Sequence, residues 1–198
     1  MKNSFVLRLL CASFVFALSL CIGDQFFHVR NGVLVYHVGP FVTGQSVWVW
    51  PIFFAAAVSF VICGIGFAWK CPPVSPARAL VNGMLAMGAY YASGVFHDAR
   101  QDLLIAVFVL VWIVRLVLQK QYAFRTMLAS LTLALCAAPM EGFVSYLGLF
   151  DYVQQDVARV PWWLFAAYLH AAPTVLDLSR WVQNVEPKPA LHMKGALG

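Results

Sequence analysis

The chain has 198 residues, of which 62% are hydrophobic and 11% are charged, and its formal net charge is +5. Soluble domains are about 45–50% apolar and about 25% charged, so this composition excludes an ordinary soluble domain and is typical of an integral membrane protein. The positive charge does not indicate nucleic-acid binding, because basic residues beside membrane spans anchor helix ends and meet anionic head groups.

Six apolar stretches, each about as long as a membrane-spanning helix, follow one another along the chain. They lie near residues 5–22, 46–69, 79–96, 103–118, 126–150 and 161–182. Together they use almost the whole chain. We therefore predict an all-α bundle of six transmembrane helices with short loops, formed by residues 1–182, and a flexible cytosolic tail, residues 183–198.

The first apolar stretch has an alternative interpretation as a signal peptide. Lys2 and Arg8 precede the apolar run, and Ala17 and Ser19 have the small-x-small spacing of a cleavage site. Cleavage would leave five helices and an N-terminus outside. The charge pattern fits both numbers, and we favour six.

Lys and Arg residues are distributed unevenly between the two sides that six spans define. Ten lie on one side and three on the other. The ten are Lys2, Arg8, Lys70, Arg78, Arg115, Lys120, Arg125, Arg180, Lys188 and Lys194, and the three are Arg30, Arg100 and Arg159. The positive-inside rule places the ten, and both termini, in the cytosol. We expect a bacterial inner membrane rather than the endoplasmic reticulum.

The fifth stretch is interrupted by Pro139 and Glu141. A carboxyl group well inside a bilayer costs about 2.5–3.5 kcal/mol, so Glu141 needs a partner or a function. We expect it to join its helix to a neighbour or to meet a lipid hydroxyl. His170 and Asn82 are the candidate protein partners.

Several His and Asp residues also fall in the predicted outer half of the membrane. Asp24 and His28 are four residues apart and would share one face if the first helix continued past its apolar run. An alternative function is therefore a small lipid or isoprenoid enzyme of the isomerase or hydratase type. In it Glu141 would act as acid or base, helped by His97, Asp98 or Asp24. We assign no catalytic residue, and we favour a protein that is not an enzyme.

Metal and cofactor sites have no support in the sequence. The chain contains no HxxH, HxxxH or HExxH pattern and no nucleotide-binding fingerprint. We therefore expect no metal and no cofactor.

Three charged residues lie near the predicted inner interface. Asp177 and Arg180 are three residues apart in the sixth stretch, which predicts an ion pair. This pair either stabilises the helix end or contacts a cytosolic partner. Arg115 ends the fourth stretch, and we expect its long side chain to reach the head groups.

Four blocks of the chain resemble the insulin-induced gene (Insig) family of six-span membrane proteins. The first three are residues 28–36 (His-Val-Arg-Asn-Gly-Val-Leu-Val-Tyr), 46–51 (Ser-Val-Trp-Val-Trp-Pro) and 92–98 (Ala-Ser-Gly-Val-Phe-His-Asp). The fourth is residues 142–152 (Gly-Phe-Val-Ser-Tyr-Leu-Gly-Leu-Phe-Asp-Tyr) together with residues 159–163 (Arg-Val-Pro-Trp-Trp). The blocks cover nearly the whole membrane region and are similar to a bacterial-type homologue.

The resemblance implies a bundle without enzymatic activity that binds a sterol or a diacylglycerol-like lipid in a cavity between its helices. In the family, sterols bind within the helices, and bacterial relatives are expected to keep the lipid site and to form trimers. We expect the lipid-binding residues to be Glu141, His170, Asn82, Tyr146 and Ser145. The expected partners are this lipid and further copies of the chain. A structural subunit of a larger membrane complex is a third possibility.

Overall fold

The structure is a computed structural model that describes residues 2–69, 71–98, 100–119 and 122–183. Within these residues the chain forms six α-helices, one for each predicted apolar stretch, which confirms the predicted all-α bundle. They are α1 (Lys2–Gly23), α2 (Val49–Phe67), α3 (Pro76–Val95), α4 (Gln101–Gln119), α5 (Ala123–Tyr146) and α6 (Trp162–Gln183). The predicted tail lies outside the described residues from residue 184 onward.

The dimensions and the surface of the bundle are those of an integral membrane protein. The helices contain between 19 and 24 residues, which corresponds to about 28–36 Å and matches the hydrocarbon core of a bilayer. Their outward faces carry large apolar side chains such as Leu118, Phe124 and Leu135, which are 75%, 70% and 66% exposed. A water-soluble protein rarely exposes apolar surface on this scale, whereas lipid covers it without cost.

Four segments of the described chain are long and apolar enough to span a membrane by composition alone. They are Ser4–Val29, Val49–Phe67, Gln101–Gln119 and Ala123–Tyr146. Helices α3 and α6 are equally long but more polar. Their polar side chains, including Asn82, Asp177 and Arg180, are buried against neighbouring helices, so the bundle shields them from the surroundings.

Helix α6 is the centre of the bundle and contacts each of the other five helices. Thirteen of its 22 residues are buried, on all of its faces. Small residues allow the close approach that this position requires. At Gly64 in α2, a side chain would overlap the hydroxyl of Ser179 in α6, and that hydroxyl donates a 2.9 Å hydrogen bond to the carbonyl of Val61.

Helix α1 does not end at its apolar run but continues as a short π-helix, Asp24–Val29. The continuation confirms that Asp24 and His28 belong to one helical segment, and both are buried toward the bundle. Close packing on α3 holds the segment in place. Gly94 of α3 lies against the carbonyl of Phe27 so tightly that a Cβ atom there would overlap it.

Two small antiparallel sheets close one end of the bundle, and the sequence did not predict them. Strand β1 (Leu34–Tyr36) follows the π-helix and pairs with β4 (Phe150–Tyr152), which precedes α6. Strands β2 (Phe41–Val42) and β3 (Gln45–Ser46) form a short hairpin between β1 and α2. The β1–β4 pair joins two connections that are more than a hundred residues apart.

Candidate functional site

A cavity of about 370 Å³ lies inside the bundle. Its volume falls in the range of about 300–1,000 Å³ that is usual for small-molecule sites. Most of the wall is apolar and comes from α1, α2, α3, α5 and α6. Among its residues are Phe16, Leu20, Phe53, Phe60, Ala86, Met87, Ala137 and Ala171.

The cavity opens between α2 and α5. Four of its lining side chains are also exposed on the outside of the bundle. They are Ile52 and Ser59 on α2 and Cys136 and Met140 on α5. A molecule in the cavity would therefore meet the surrounding lipid through a lateral opening between these two helices.

The β1–β4 sheet covers the polar end of the cavity. Its side chains alternate between a face that lines the cavity and a face that points away from it. Leu34 is paired with Tyr152 and Tyr36 with Phe150, and all four side chains line the cavity. Asp151 in the same ladder belongs to the opposite face, because successive residues of a strand point to opposite sides.

Glu141 is held at this end by two tyrosines from different elements. The hydroxyl of Tyr152 in β4 donates to Oε2, and the hydroxyl of Tyr168 in α6 donates to Oε1. Because both carboxyl oxygens accept a hydrogen bond, Glu141 ties α5 to α6 and to the covering sheet. Glu141 nevertheless lines the cavity.

Asp24 is a second buried carboxyl group on the same cavity. Its Oδ2 atom accepts a 2.8 Å hydrogen bond from the hydroxyl of Tyr36 and a 2.7 Å hydrogen bond from the amide of Gln45. The Gln45 amide also donates to the carbonyl of Cys21 at 3.0 Å. Burial, and then the nearby Asp24 carboxyl, raise the pKa of Tyr36 well above its ordinary range, which keeps its hydroxyl protonated as a donor.

His28 and Ser93 complete the polar end. The Ser93 hydroxyl donates to the carbonyl of Tyr90 at 2.8 Å, so its oxygen accepts the 3.0 Å bond from Nε2 of His28. The imidazole is enclosed by two edge-on rings, with centroids 4.4 Å away at Tyr90 and 5.7 Å away at Trp163. This packing holds the ring in place.

Of the five residues that we expected to bind lipid, Glu141 alone lines the cavity. Ser145 is buried and donates a 3.0 Å hydrogen bond to Asp151 on the outer face of the sheet. Tyr146 is 71% exposed at the end of α5. His170 and Asn82 lie in a separate polar network away from the cavity.

This buried network joins α3, α4 and α6. Arg115 donates to Nδ1 of His170 at 2.9 Å and to the side-chain oxygen of Asn82 at 3.0 Å, and the Asn82 amide donates to Asp177 at 2.6 Å. His170 uses its other nitrogen to donate to the carbonyl of Phe108 at 3.0 Å. The prediction that Arg115 reaches the head groups is wrong, because its side chain is 7% exposed and satisfies polar groups on two other helices.

The predicted ion pair between Asp177 and Arg180 forms, with 3.5 Å between its nearest atoms. Both residues are buried, at 5% and 3% exposure. Their expected role as a partner contact therefore needs correction, because neither side chain reaches the surface of the bundle. The pair instead belongs to the polar network that holds α3 and α4 against α6.

The structure brings together two of the four residues of the enzyme alternative. Glu141 and Asp24 share the cavity, but His97 and Asp98 pair with each other outside it, with 3.1 Å between them. Asp98 is 88% exposed, and Nδ1 of His97 donates to the carbonyl of Gly94 at 2.8 Å. Of the three helpers that the enzyme alternative named, Asp24 is thus the one that shares the cavity with Glu141.

Two solved structures share this fold. One is a mycobacterial Insig homologue, MvINS from Mycobacterium vanbaalenii, with a TM-score of 0.78 and 19% identity over 91% of this chain and 97% of that chain. The other is a cross-linked MvINS trimer, with a TM-score of 0.78 and 20% identity over 91% of this chain and 96% of that chain. No protein-family model and no curated protein sequence matches the chain. The resemblance to an Insig-like bacterial homologue is therefore confirmed at the level of the fold.

Proposed function

We propose that this integral membrane protein, which has the Insig fold, binds one hydroxyl-bearing lipid inside its bundle. The ligand is a sterol or a diacylglycerol-like lipid. Its apolar part lies in the cavity that α1, α2, α3, α5 and α6 surround, and its hydroxyl group donates to Glu141. The observation that supports this proposal is a laterally open apolar cavity with a single polar end.

The chemistry of that end suits a hydroxyl group. A hydroxyl brings one hydrogen and accepts two, whereas a carboxylate only accepts. Glu141 already receives hydrogen bonds from Tyr152 and Tyr168 and still has lone pairs left for a ligand. An alkyl chain or a fused ring fits the remaining wall, because apolar contact needs no further partner.

Mass spectrometry of the bound lipid tests the proposal. The protein is extracted in mild detergent, and its lipids are compared with those of the same membrane. A sterol or diacylglycerol-like lipid retained in near-stoichiometric amount supports the proposal. Recovery of bulk phospholipid only, in the proportions of the membrane, contradicts it.

We further propose that residues 1–182 form one membrane domain with both termini in the cytosol of a bacterial cell. The support is the distribution of Lys and Arg, ten against three. Fusion of the C-terminus to green fluorescent protein is expected to give a fluorescent product, and fusion to alkaline phosphatase an inactive one. The opposite pair of results contradicts the orientation.

We also propose that the chain forms homo-oligomers, with a trimer as the expected state. The support is the trimeric form of the structural neighbour MvINS. Mass measurement of the protein in detergent, corrected for bound detergent, tests this proposal. A monomer at all protein concentrations contradicts it.

A further inference from the structure

The polar end of the cavity is rich in hydrogen-bond acceptors and poor in free donors. The hydroxyl group of Tyr36 donates its hydrogen to Asp24, and those of Tyr152 and Tyr168 donate theirs to Glu141.

The serine hydroxyls that line the cavity also donate their hydrogens within the protein, to backbone carbonyls. Ser19 and Ser59 each donate to the carbonyl four residues earlier in their helix, and Ser93 donates to Tyr90. Thr174 also lines the cavity and is the exception, because its buried hydroxyl makes no hydrogen bond within the described residues. A ligand must therefore bring its own donors, since a hydroxyl has only one hydrogen to give.

The charges around the cavity favour a ligand that carries a positive charge. Asp24 and Glu141 place two carboxyl groups on one cavity. Among the cavity-lining residues that the structure describes there is no Lys or Arg, and Nε2 of His28 is engaged with Ser93. Each carboxyl group receives at least two hydrogen bonds, which is the arrangement that suits an ionised carboxylate. A buried carboxylate without a cation is costly, so a cationic ligand would compensate this pair.

Aromatic rings beside the carboxyl groups favour a cation independently. Tyr36 and Phe150 have ring centroids 5.7 Å apart, and Phe150 and Tyr152 have centroids 5.5 Å apart, and all three side chains line the cavity. An ammonium group near the face of an aromatic ring is attracted by its quadrupole, and the attraction grows when water is excluded.

We propose that the cavity selects lipids whose head group carries a protonated amine and no phosphate, and that Asp24 and Glu141 are its specificity-determining residues. This inference rests on the proposed function, because it names the head-group class that the same lipid site prefers. Among amphiphiles with one alkyl chain, affinity follows the order amine, then hydroxyl, then phosphate. The phosphate is rejected because it brings negative charge to a site that offers acceptors.

A matched series of ligands tests this order without any change to the protein. Hexadecylamine, N-acetylhexadecylamine, hexadecanol and hexadecyl phosphate share one chain and differ only in the head group. Their dissociation constants are measured on the full chain in a nonionic detergent at neutral pH. We expect hexadecylamine to bind roughly tenfold or more tightly than hexadecanol, since a hydrogen bond between charged groups is stronger than a neutral one. N-acetylation, which removes the charge, should abolish the advantage.

Variants then test whether the preference for the amine arises from the carboxyl groups of the cavity. Glu141→Gln and Asp24→Asn should each reduce the advantage of the amine over the alcohol. Asp98→Asn, which removes the same charge from a side chain that is 88% exposed, should leave the advantage unchanged. Thermal melting of each variant identifies any that fails to fold, and the ligand series on the unchanged protein still decides the question.

The outcomes separate this inference from the proposed function. If hexadecanol binds as tightly as hexadecylamine, or if hexadecyl phosphate binds comparably, the inference is wrong and the lipid site stands. An amine advantage that survives in folded Glu141→Gln and Asp24→Asn proteins also overturns it, because the attraction then comes from elsewhere. If none of the four ligands binds, the proposed lipid site itself is contradicted.

Discussion

Tyr36 in β1 donates a 2.8 Å hydrogen bond to the carboxyl group of Asp24 in the π-helix. The bond connects the sheet that covers the cavity with the helix that forms one of its walls. Tyr152, the ladder partner of Leu34 in the paired strand, makes the equivalent bond to Glu141 in α5. The sheet is thus fastened to two helices through one tyrosine and one carboxyl group on each side.

Glu141 has a second tyrosine donor, Tyr168 in α6, and removal of its hydroxyl should loosen the covered end of the cavity. Tyr168→Phe leaves an oxygen of Glu141 without its donor and should cost about 1–3 kcal/mol of stability. The melting temperature in detergent measures this loss. Tyr146→Phe is the control, because Tyr146 is 71% exposed, and it should be close to neutral. Equal melting temperatures for both variants would show that the Tyr168–Glu141 bond does not support the fold.

Filling the cavity should expel the lipid without disturbing the helices. Gly83 lines the cavity, and a side chain built there meets open space. Gly83→Leu should therefore lower the amount of co-purified lipid while the protein stays folded. Gly88 in the same helix also faces open space but does not line the cavity, so Gly88→Leu should retain the wild-type lipid content. Unchanged lipid content in Gly83→Leu would place the lipid elsewhere.

Gly142 should be intolerant of any side chain. A Cβ atom there would overlap the carbonyl of Ala158 in the connection between β4 and α6. Gly142→Ala should push this connection away from α5 and cost about 1–3 kcal/mol, as overpacking usually does. Gly66→Ala is the matched control, since its Cβ would meet nothing, and it should leave stability unchanged or raise it. Denaturation in a detergent series compares the two.

Arg115 should behave as a buried residue of a polar network. Arg115→Leu removes the hydrogen bonds that the guanidinium group donates to Asn82 and His170. It also removes a positive charge from the network that holds the Asp177 carboxyl group. The variant should therefore lose about 3–5 kcal/mol of folding stability. Arg100 is the control. Its side chain is 80% exposed in the connection between α3 and α4, and Arg100→Leu should change stability by less than about 1 kcal/mol. A neutral Arg115→Leu would mean that the side chain reaches the head groups after all.

The outer face of the sheet should respond to acid. Hydrogen bonds from Ser145 and His37, and the nearby Arg159, lower the pKa of Asp151 below its ordinary value of 3.8. A carboxyl group with a lowered pKa stabilises the folded state above its ordinary pKa, and the effect is lost as the pH falls through the folded value. The melting temperature of Asp151→Asn should therefore be slightly below that of the wild type at neutral pH. The gap should close as the pH falls below about 4. A gap that widens in acid would contradict this sign.

The sequence predicted the helices well, because apolar length and the distribution of charge are local signals. It also predicted the shared helical segment of Asp24 and His28, and that Glu141 joins its helix to a neighbour, although the partners are Tyr152 and Tyr168 and not His170 or Asn82. It did not predict the β1–β4 pairing, in which Tyr36 meets Phe150 across more than a hundred residues, because nothing local specifies that register. The alternation of Phe150, Asp151 and Tyr152 was the available signal that one face of a strand would be buried.

The hydrogen-bond partners of individual polar residues could not be predicted from the sequence either. Arg115 stands at a helix end, where reaching the interface is the usual behaviour, and its burial depends on Asn82 and His170 of two other helices. Tyr168 sits in an apolar background and gives no sign that its hydroxyl meets Glu141. Such contacts depend on how whole helices are rotated, which periodicity in α3, α4 and α6 does not determine.

Photolabelling tests the central claim, a lipid held inside the bundle, most directly. A diacylglycerol carrying a diazirine in its acyl chain is added to membranes that contain the protein, and the labelled residues are mapped after irradiation. We expect saturable labelling of inward cavity residues such as Phe16, Phe53 and Ala137, which Gly83→Leu abolishes. Labelling confined to outward residues such as Leu110 and Leu118, equal in both proteins, would contradict the account.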